Sequence, residues 1–480
     1  MNLDCIVIGG GPAGMAAALG CASHGLRTAL VDEQPRPGGQ IYRNVGRAAP
    51  EVGRLLGKDY LRGAPLVERL ERSGVQVHRG ALVWDVAEDL TVSVLAEGRS
   101  LQMRAPRLLV ATGALERPSP VPGWTLPRVM SAGAAQIALK TSASVPDGRV
   151  VLVGCGPLLL LVACQLLDAG AMLAGILETA PAANRREALR HLPRALAAPE
   201  YLLKGLRMVR RLRAARVPFH TGVSQVRIEG TDAASGVRFV CKGREQRLAA
   251  DVVLLHHGVV PNTQLSRLLR IEHAWDEGQL AWRPVVDAWG RSSRPGVHVL
   301  GDGAGISGAL AAQLAGEVAA LDVACTLGRI TQVQRDRLAA PWFARRRRQH
   351  SVRPFLDALY RPPAWIACPP DDTTIVCRCE EVTAGRVREM ASLGCRGPNQ
   401  TKFFSRCGMG PCQGRMCGLT VTQLLAQQLD LEPAEVGAYH VRSPIKPIPL
   451  SAFATMTFLD GDASHHEHQD RALSTRPTDE

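Results

Sequence analysis

The first 32 residues constrain this 480-residue chain more than any other stretch. Cys5 to Ile8 form a short apolar run, as a buried parallel strand requires. Gly9-Gly10-Gly11-Pro12-Ala13-Gly14 follows, a G-x-G-x-x-G pattern, and Ala16 to His24 continue as a helix of small residues. Leu26 to Val31 give a second strand that ends at the acids Asp32 and Glu33. Gly9 permits a tight turn, Gly11 lets the backbone approach a pyrophosphate, and Gly14 lets helix and strand pack closely. The helix begins at Pro12 and Ala13, where free N–H groups and about half a positive charge meet the phosphates. Asp32, 18 residues beyond Gly14, is placed to accept from a ribose hydroxyl. The chain is therefore expected to be α/β, opening with a Rossmann-like unit that holds the ADP half of a dinucleotide.

Three later segments select FAD over NAD. Gly38-Gly39-Gln40 supplies a glycine loop that can run beside a flavin. Leu108 to Val110 is a strand ending in Ala111-Thr112-Gly113, and Val297 to Leu300 is one ending in Gly301-Asp302. An acid at a strand's C-terminal end can bond a ribityl chain, which NAD lacks. In order and spacing this set resembles the two-dinucleotide-binding-domain flavoproteins over residues 1–330. The resemblance implies that Asp302 contacts the flavin ribityl or phosphate. It also implies a discontinuous FAD domain, residues 1–125 plus 283–335.

The same unit recurs within residues 126–282. Arg149 to Val153 leads into Gly154-Cys155-Gly156-Pro157-Leu158-Leu159, a helix, and a strand ending at Glu178. Resemblance suggests an NAD(P)H domain, and Glu178 would oppose an NADP 2′-phosphate. Leu159, however, stands where the third glycine belongs. Three readings stay open: a working NADH site, another adenine nucleotide held structurally, or an empty scaffold. His256 and His257 are read as packed near the flavin or bonded to backbone, rather than as acid–base groups. The loop after Gly39 carries no cysteine pair, which argues against disulfide chemistry at the flavin.

At roughly 150 residues per domain the length allows about three domains. Aromatic residues are only 4%, so aliphatic side chains must build the cores. The net charge of +13 includes the run Arg345-Arg346-Arg347-Arg348, read as a solvated helix face, with a docking patch as the alternative. No basic stripe interleaves with aromatics, so nucleic acid is not an expected partner. No secretory signal or membrane span is read, and the 13 cysteines are then expected in a reducing cytoplasm, as metal ligands or redox groups.

After an expected linker over residues 336–372, cysteines crowd together. Cys377, Cys379, Cys407, Cys412 and Cys417 fall within 41 residues, with Cys395 between. Four thiolates hold either zinc or an iron–sulfur cluster, and a C-x-C pair is tight for a zinc knuckle. Buried cysteines without metal are the third alternative. The segment "CRCEEVTAGRVREM…CGMGPCQGRMCG" resembles the bacterioferritin-associated-ferredoxin-like [2Fe–2S] domain, expected over residues 373–430. The resemblance assigns the cluster to Cys377, Cys379, Cys412 and Cys417 and leaves Cys407 outside the pattern. Residues 431–480 read as a tail, and His465, His466 and His468 in it as adventitious metal binders at most.

FAD takes electrons in pairs or singly and a [2Fe–2S] cluster takes one, so the combination reads as an electron splitter. No separate substrate domain is evident. From Asp4 to about Leu425, including "ATGALERPSPVPGW" and "CRCEEVT", the chain resembles the FAD-binding subunits of multi-subunit amino-acid dehydrogenases. That group includes opine oxidases, D-hydroxyproline dehydrogenases and hydrogen cyanide synthases. The resemblance implies an oxidoreductase acting on CH–NH donors. Its partner would be a second flavoprotein subunit of amino-acid-oxidase type, and a small ferredoxin-like subunit is a further expected partner. The expected location is the cytoplasm, with contact to the inner face of the membrane only through the complex. The rival readings are a stand-alone NADH-dependent ferredoxin-type reductase and a non-enzymatic iron–sulfur binding protein.

Overall fold

The computed structural model describes residues 3–454 and 456–458. Two five-stranded parallel sheets form its centre. In the first, Val297–Val299, Leu108–Val110, Cys5–Ile8, Thr28–Asp32 and Gln76–Arg79 lie side by side in that order. Ile6 sits opposite Ala29 on one side and Leu108 on the other. These strands need continuous apolar runs because both faces are covered. Helices Pro12–Ser23 and Ala309–Thr326 cover one face, and an antiparallel sheet built on Leu82–Val86, Thr91–Ala96 and Arg99–Arg104 packs on the other. The two helices approach closely because small residues line their seam; a Cβ on Gly316 would strike the Ala13 carbonyl. Ala309–Thr326 is apolar and long enough to cross a membrane, but more than half of it is buried here.

The second sheet runs Phe219–Thr221, Met172–Glu178, Arg149–Cys155, Val252–His257 and Val129–Ser131, again parallel. In sequence it lies between Leu108–Val110 and Val297–Val299 of the first sheet. A two-stranded ribbon, Ala114–Glu116 against Val259–Pro261, joins the two halves.

The C-terminal third departs from the sequence reading twice. Residues 336–372, expected as a linker, are largely helical. Helix Gln332–Ser351 starts at a capping box in which Thr331 and Gln334 satisfy each other's backbone N–H, and helix Arg353–Leu359 follows. Arginine is a good helix former, and Pro341 is the one proline inside the longer helix. Nor is the chain beyond 430 simply a tail. Tyr439 is buried and donates to the Cys407 carbonyl at 2.8 Å, Ile445 bonds the Trp84 carbonyl, and Lys446 pairs with Glu33. Isolated anchors without periodicity leave no pattern to read. His465, His466 and His468 lie outside the described residues.

Between these segments, helices Ala384–Ser392, Pro398–Ser405 and Gly418–Leu429 surround a small core that contains Cys377, Cys407 and Cys417. This unit docks on both nucleotide folds. Trp124 Nε1 donates to the Ile375 carbonyl at 2.7 Å, and Gln264 Nε2 donates to the Gln413 carbonyl at 2.9 Å.

Candidate functional site

A cavity of about 570 Å³ opens at the C-terminal ends of the first sheet. Gly9, Gly11, Pro12, Ala13, Asp32, Glu33, Gly39, Gln40, Ala111, Thr112, Gly113 and Asp302 all line it. Gly14 and Gly301 stand behind the wall, where they have packing roles. A Cβ on Gly14 would collide with the Gly9 carbonyl oxygen, and one on Gly301 would sit 2.8 Å from Ala13 Cβ. Gly9 turns at φ +107°, a conformation that other residues rarely adopt.

Asp32 does more than face a ribose. Its carboxylate accepts from Gly10 N at 2.8 Å and Gln34 N at 2.9 Å, so it braces the glycine loop. Burial pushes its carboxyl above the usual range, against the pull of those two bonds and of Arg43 and Lys446. Each oxygen keeps a lone pair for a hydroxyl donor. Asp302 accepts from Ser307 N at 2.8 Å and Gly308 N at 2.9 Å, which fixes the turn into helix Ala309–Thr326. Two helix N-termini, at Pro12 and Ala309, therefore border one cavity, a favourable setting for phosphates. Arg43 Nε and Gln264 Oε1 are buried without hydrogen-bond partners, and both residues line the cavity. Phosphate oxygens and a flavin-ring N–H would satisfy them, so the donor set fits FAD.

Lys140 is a residue that the glycine motifs gave no reason to select. It is 4% exposed and donates to the Gln40 carbonyl and to Gln136 Oε1, each at 2.9 Å. Burial, with Arg43 nearby, pulls its ammonium down to about 7. Glu116 is another. It lines the cavity, accepts from Gly133 N, and meets His256 Nδ1 at 2.6 Å. His256 and His257 are both buried, but their ring nitrogens meet side chains rather than backbone. His257 lies between Ser119 and Thr179, and burial drives its pKa to about 3, so it stays neutral.

At the second glycine loop the counterpart of that cavity is crowded by the chain itself. Gly154 and Gly156 turn as a nucleotide loop should, but His256 Nε2 lies 3.2 Å from where a Cβ on Gly156 would stand. The Cys155 thiol donates to the Tyr360 carbonyl at 3.3 Å, and Asn184 Nδ2 donates to the Arg361 carbonyl at 2.9 Å. The segment after helix Arg353–Leu359 thus lies across the loop. The Tyr360 phenol is pushed up to about 12 by burial and then by Glu178 and Cys155, which places it beside the acid expected to hold a ribose. Leu159 is buried in the core beneath the loop, and burial likewise raises the Glu178 carboxyl.

The five clustered cysteines divide into two groups. Cys377, Cys407 and Cys417 are buried, with their sulfurs within 4.8 Å of one another. Cys407, which the motif resemblance leaves outside the ligand pattern, thus stands against two of the expected ligands. The fold alone brings it there, through Tyr439 and the Gly408 turn. The three thiols share hydrogen bonds that favour the Cys377 thiolate and push Cys407 and Cys417 up. Gly408 N also points at Cys377 Sγ at 3.5 Å. Cys379 is exposed and Cys412 half-buried, and these two contact each other. A buried triad beside a more open pair gives five thiols where an iron–sulfur centre needs four, so the donor set fits. None of the 13 cysteines forms a disulfide.

Arg415 connects the two sites. It lines the flavin cavity, its Nη1 donates to the Ile445 carbonyl at 3.1 Å, and it lies within electrostatic reach of Cys412 and Cys379. Gln264 spans the same wall through its bond to Gln413. Sequence motifs singled out neither residue, because what matters is contact across 149 positions of chain.

Such a fold and cavity define a flavin-dependent oxidoreductase with an iron–sulfur-type centre attached. Residues 3–322 match the pyridine nucleotide-disulphide oxidoreductase family model, and residues 372–456 match the sarcosine oxidase A3 domain. The chain belongs to the pyridine nucleotide-disulphide oxidoreductase family, in the branch that contains the opine oxidase A subunits. The opine oxidase A subunit of Rhizobium meliloti is 45% identical over 461 residues, which cover 94% of this chain and 87% of that one. Hydrogen cyanide synthase subunit HcnB of Pseudomonas aeruginosa is 35% identical over 95% of this chain and 99% of its own length. The L-proline dehydrogenase structure from P. horikoshii superposes with a TM-score of 0.69 at 19% identity, over 94% of this chain and 79% of that one.

Proposed function

We propose that this chain is the electron-transfer subunit, carrying FAD and [2Fe–2S], of a hetero-oligomeric dehydrogenase. The complex oxidises the C–N bond of an amino or imino acid of the opine, D-hydroxyproline or glycine type. The observation that carries this reading is the shared wall between the flavin cavity and the cysteine cluster, made by Arg415 and the Gln264–Gln413 bond. When bound, FAD handles electrons in pairs or singly and a [2Fe–2S] cluster handles them one at a time. The chain's own residues hold the two groups close, keep water from the buried thiols, and place a guanidinium between them. The substrate site belongs to a partner, a second flavoprotein subunit of amino-acid-oxidase type; a small ferredoxin-like subunit is a further candidate. Names of the relatives, which are designated subunits, support a hetero-oligomer. The location proposed is the cytoplasm, with any membrane contact made through the complex.

The crowding by His256 and Tyr360 supports a donor other than NADH. Anaerobic mixing of the co-purified complex with its imino-acid substrate tests the reading. Flavin and cluster absorbance in this chain should bleach within turnover time. Substrate turnover while both stay oxidised would sink it, as would rapid bleaching of the isolated chain by NADH.

A further inference from the structure

Behind the strand Val297–Val299 lies a second cavity, of about 340 Å³, whose lining shares Leu300 with the flavin cavity. Arg283, Arg346 and Arg353 converge on it from three different segments, with His350 beside them. Arg346 belongs to the arginine run that reads in sequence as a solvated face. Arg345, Arg347 and Arg348 fit that reading, being more open to solvent at the helix surface. Successive helical residues are about 100° apart, and this rotation turns Arg346 toward the cavity. Burial pulls its guanidinium below the usual value. It donates to the Ala288 carbonyl at 2.9 Å and lies 5.1 Å from the Phe343 ring, yet has no ion-pair partner among the described residues.

The other cations are only partly neutralised. Arg353 pairs with Asp357, but its Nε is buried with no hydrogen-bond partner. Arg283 holds Asp276 at 3.1 Å through Nε. Asp276 and Asp287 also line the cavity, and Asp287 lies within electrostatic reach of Arg346, but neither forms an ion pair with Arg346 or a hydrogen bond to the orphaned Nε. A desolvated donor left unpaired is costly, and a guanidinium fork matches the spacing of phosphate oxygens. The floor is apolar, formed by Val299, Leu300 and Ala311 with the Trp289 indole at the side. The volume falls within the roughly 300–1,000 Å³ usual for small-molecule sites.

We propose that this cavity is a second ligand site, for a phosphate monoester with a small apolar body. Phosphate oxygens would bridge Arg346 and Arg353, and the apolar body would lie on the Leu300 floor. The proposal is independent of the electron-transfer reading, because none of its residues faces the cysteine cluster and the flavin cavity stays filled in the test.

Isothermal titration of the full-length, FAD-loaded protein with phenyl phosphate tests it, with ionic strength held constant by sodium chloride. One saturable site per chain is expected. Arg346→Met should weaken it tenfold or more, whereas Arg347→Met, its neighbour in the run, should leave it unchanged. Retained flavin absorbance in both variants shows that the fold survives. Four results would overturn the proposal: no saturable heat, equal weakening in both variants, inorganic phosphate binding as tightly as phenyl phosphate, or succinate binding more tightly than either.

Discussion

The two glycine loops of this protein start from nearly the same residues and reach opposite ends. Gly9 to Gly14 opens onto a cavity bordered by two helix N-termini and unpartnered polar atoms. Gly154 to Leu159 makes the same strand–turn–helix, then meets His256 and the Tyr360 segment. The difference teaches that the fingerprint encodes a backbone path, while access to the loop is decided by what the rest of the chain lays across it. In the first fold the inserted segment lines the mouth, through Ser131, Gln136 and Asn262, and leaves the cavity open. In the second, the segment that carries the chain to the cysteine domain lies across that mouth.

Exchanging the distinguishing residues should break the comparison most visibly. Gly14→Leu copies the second loop into the first and drives a side chain into the Gly9 carbonyl, a contact that cannot relax without moving the strand. Bound FAD per chain should fall at least tenfold by absorbance, whereas Leu159→Gly should confer no NADH binding. If Leu159→Gly does yield an NADH-reducible flavin, access to the second loop was never the obstacle.

The thiol groups offer the next largest effect. Cys377→Ser and Cys417→Ser belong to both the sequence pattern and the buried triad, so each should reduce iron content nearly to zero. Cys407→Ser separates the two, and iron should be retained because the Cys379–Cys412 pair completes four ligands. Loss of iron in that variant would move the ligand set onto the triad.

Lys140 sharpens the contrast through pH. Its ordinary value is 10.5 and its folded value about 7, so the unfolded chain binds more protons between those pH values. Stability should therefore rise with pH across that window, and thermal melting of Lys140→Met should lose that rise. Lys140 holds the cavity residues Gln40 and Gln136, so below pH 7 its charge would favour a reduced, more negative flavin bound there. The flavin potential should accordingly show an extra pH step near 7 that the variant lacks. Arg415→Met should have the smallest effect. Flavin and cluster should still bind, but the potential of one or both should fall by a few tens of millivolts, on the scale of about 1.4 kcal/mol per 30 mV for a two-electron couple. Unchanged potentials would reduce Arg415 to a packing residue, and Arg415→Lys should restore most of any shift.

Much of this molecule was already written locally in the chain. Cys5 to Asp32 carries its own strand, turn, helix and acid, each set by residues within a few positions. Gly301-Asp302 and the C-x-C and C-x4-C pairs are equally local, and so FAD, the iron–sulfur-type centre and the two-dinucleotide-binding fold were legible. What only the tertiary structure decided comes from distant segments meeting. Cys407 joins Cys377 across 30 positions through a turn held by Tyr439. Tyr360 crosses the loop at Cys155, and Arg346 leaves its arginine run to enter a cavity. Local backbone preferences act over a few residues, whereas burial and charge act between whatever the fold brings together. The glycine turns could therefore be read in advance, while the access to them could not.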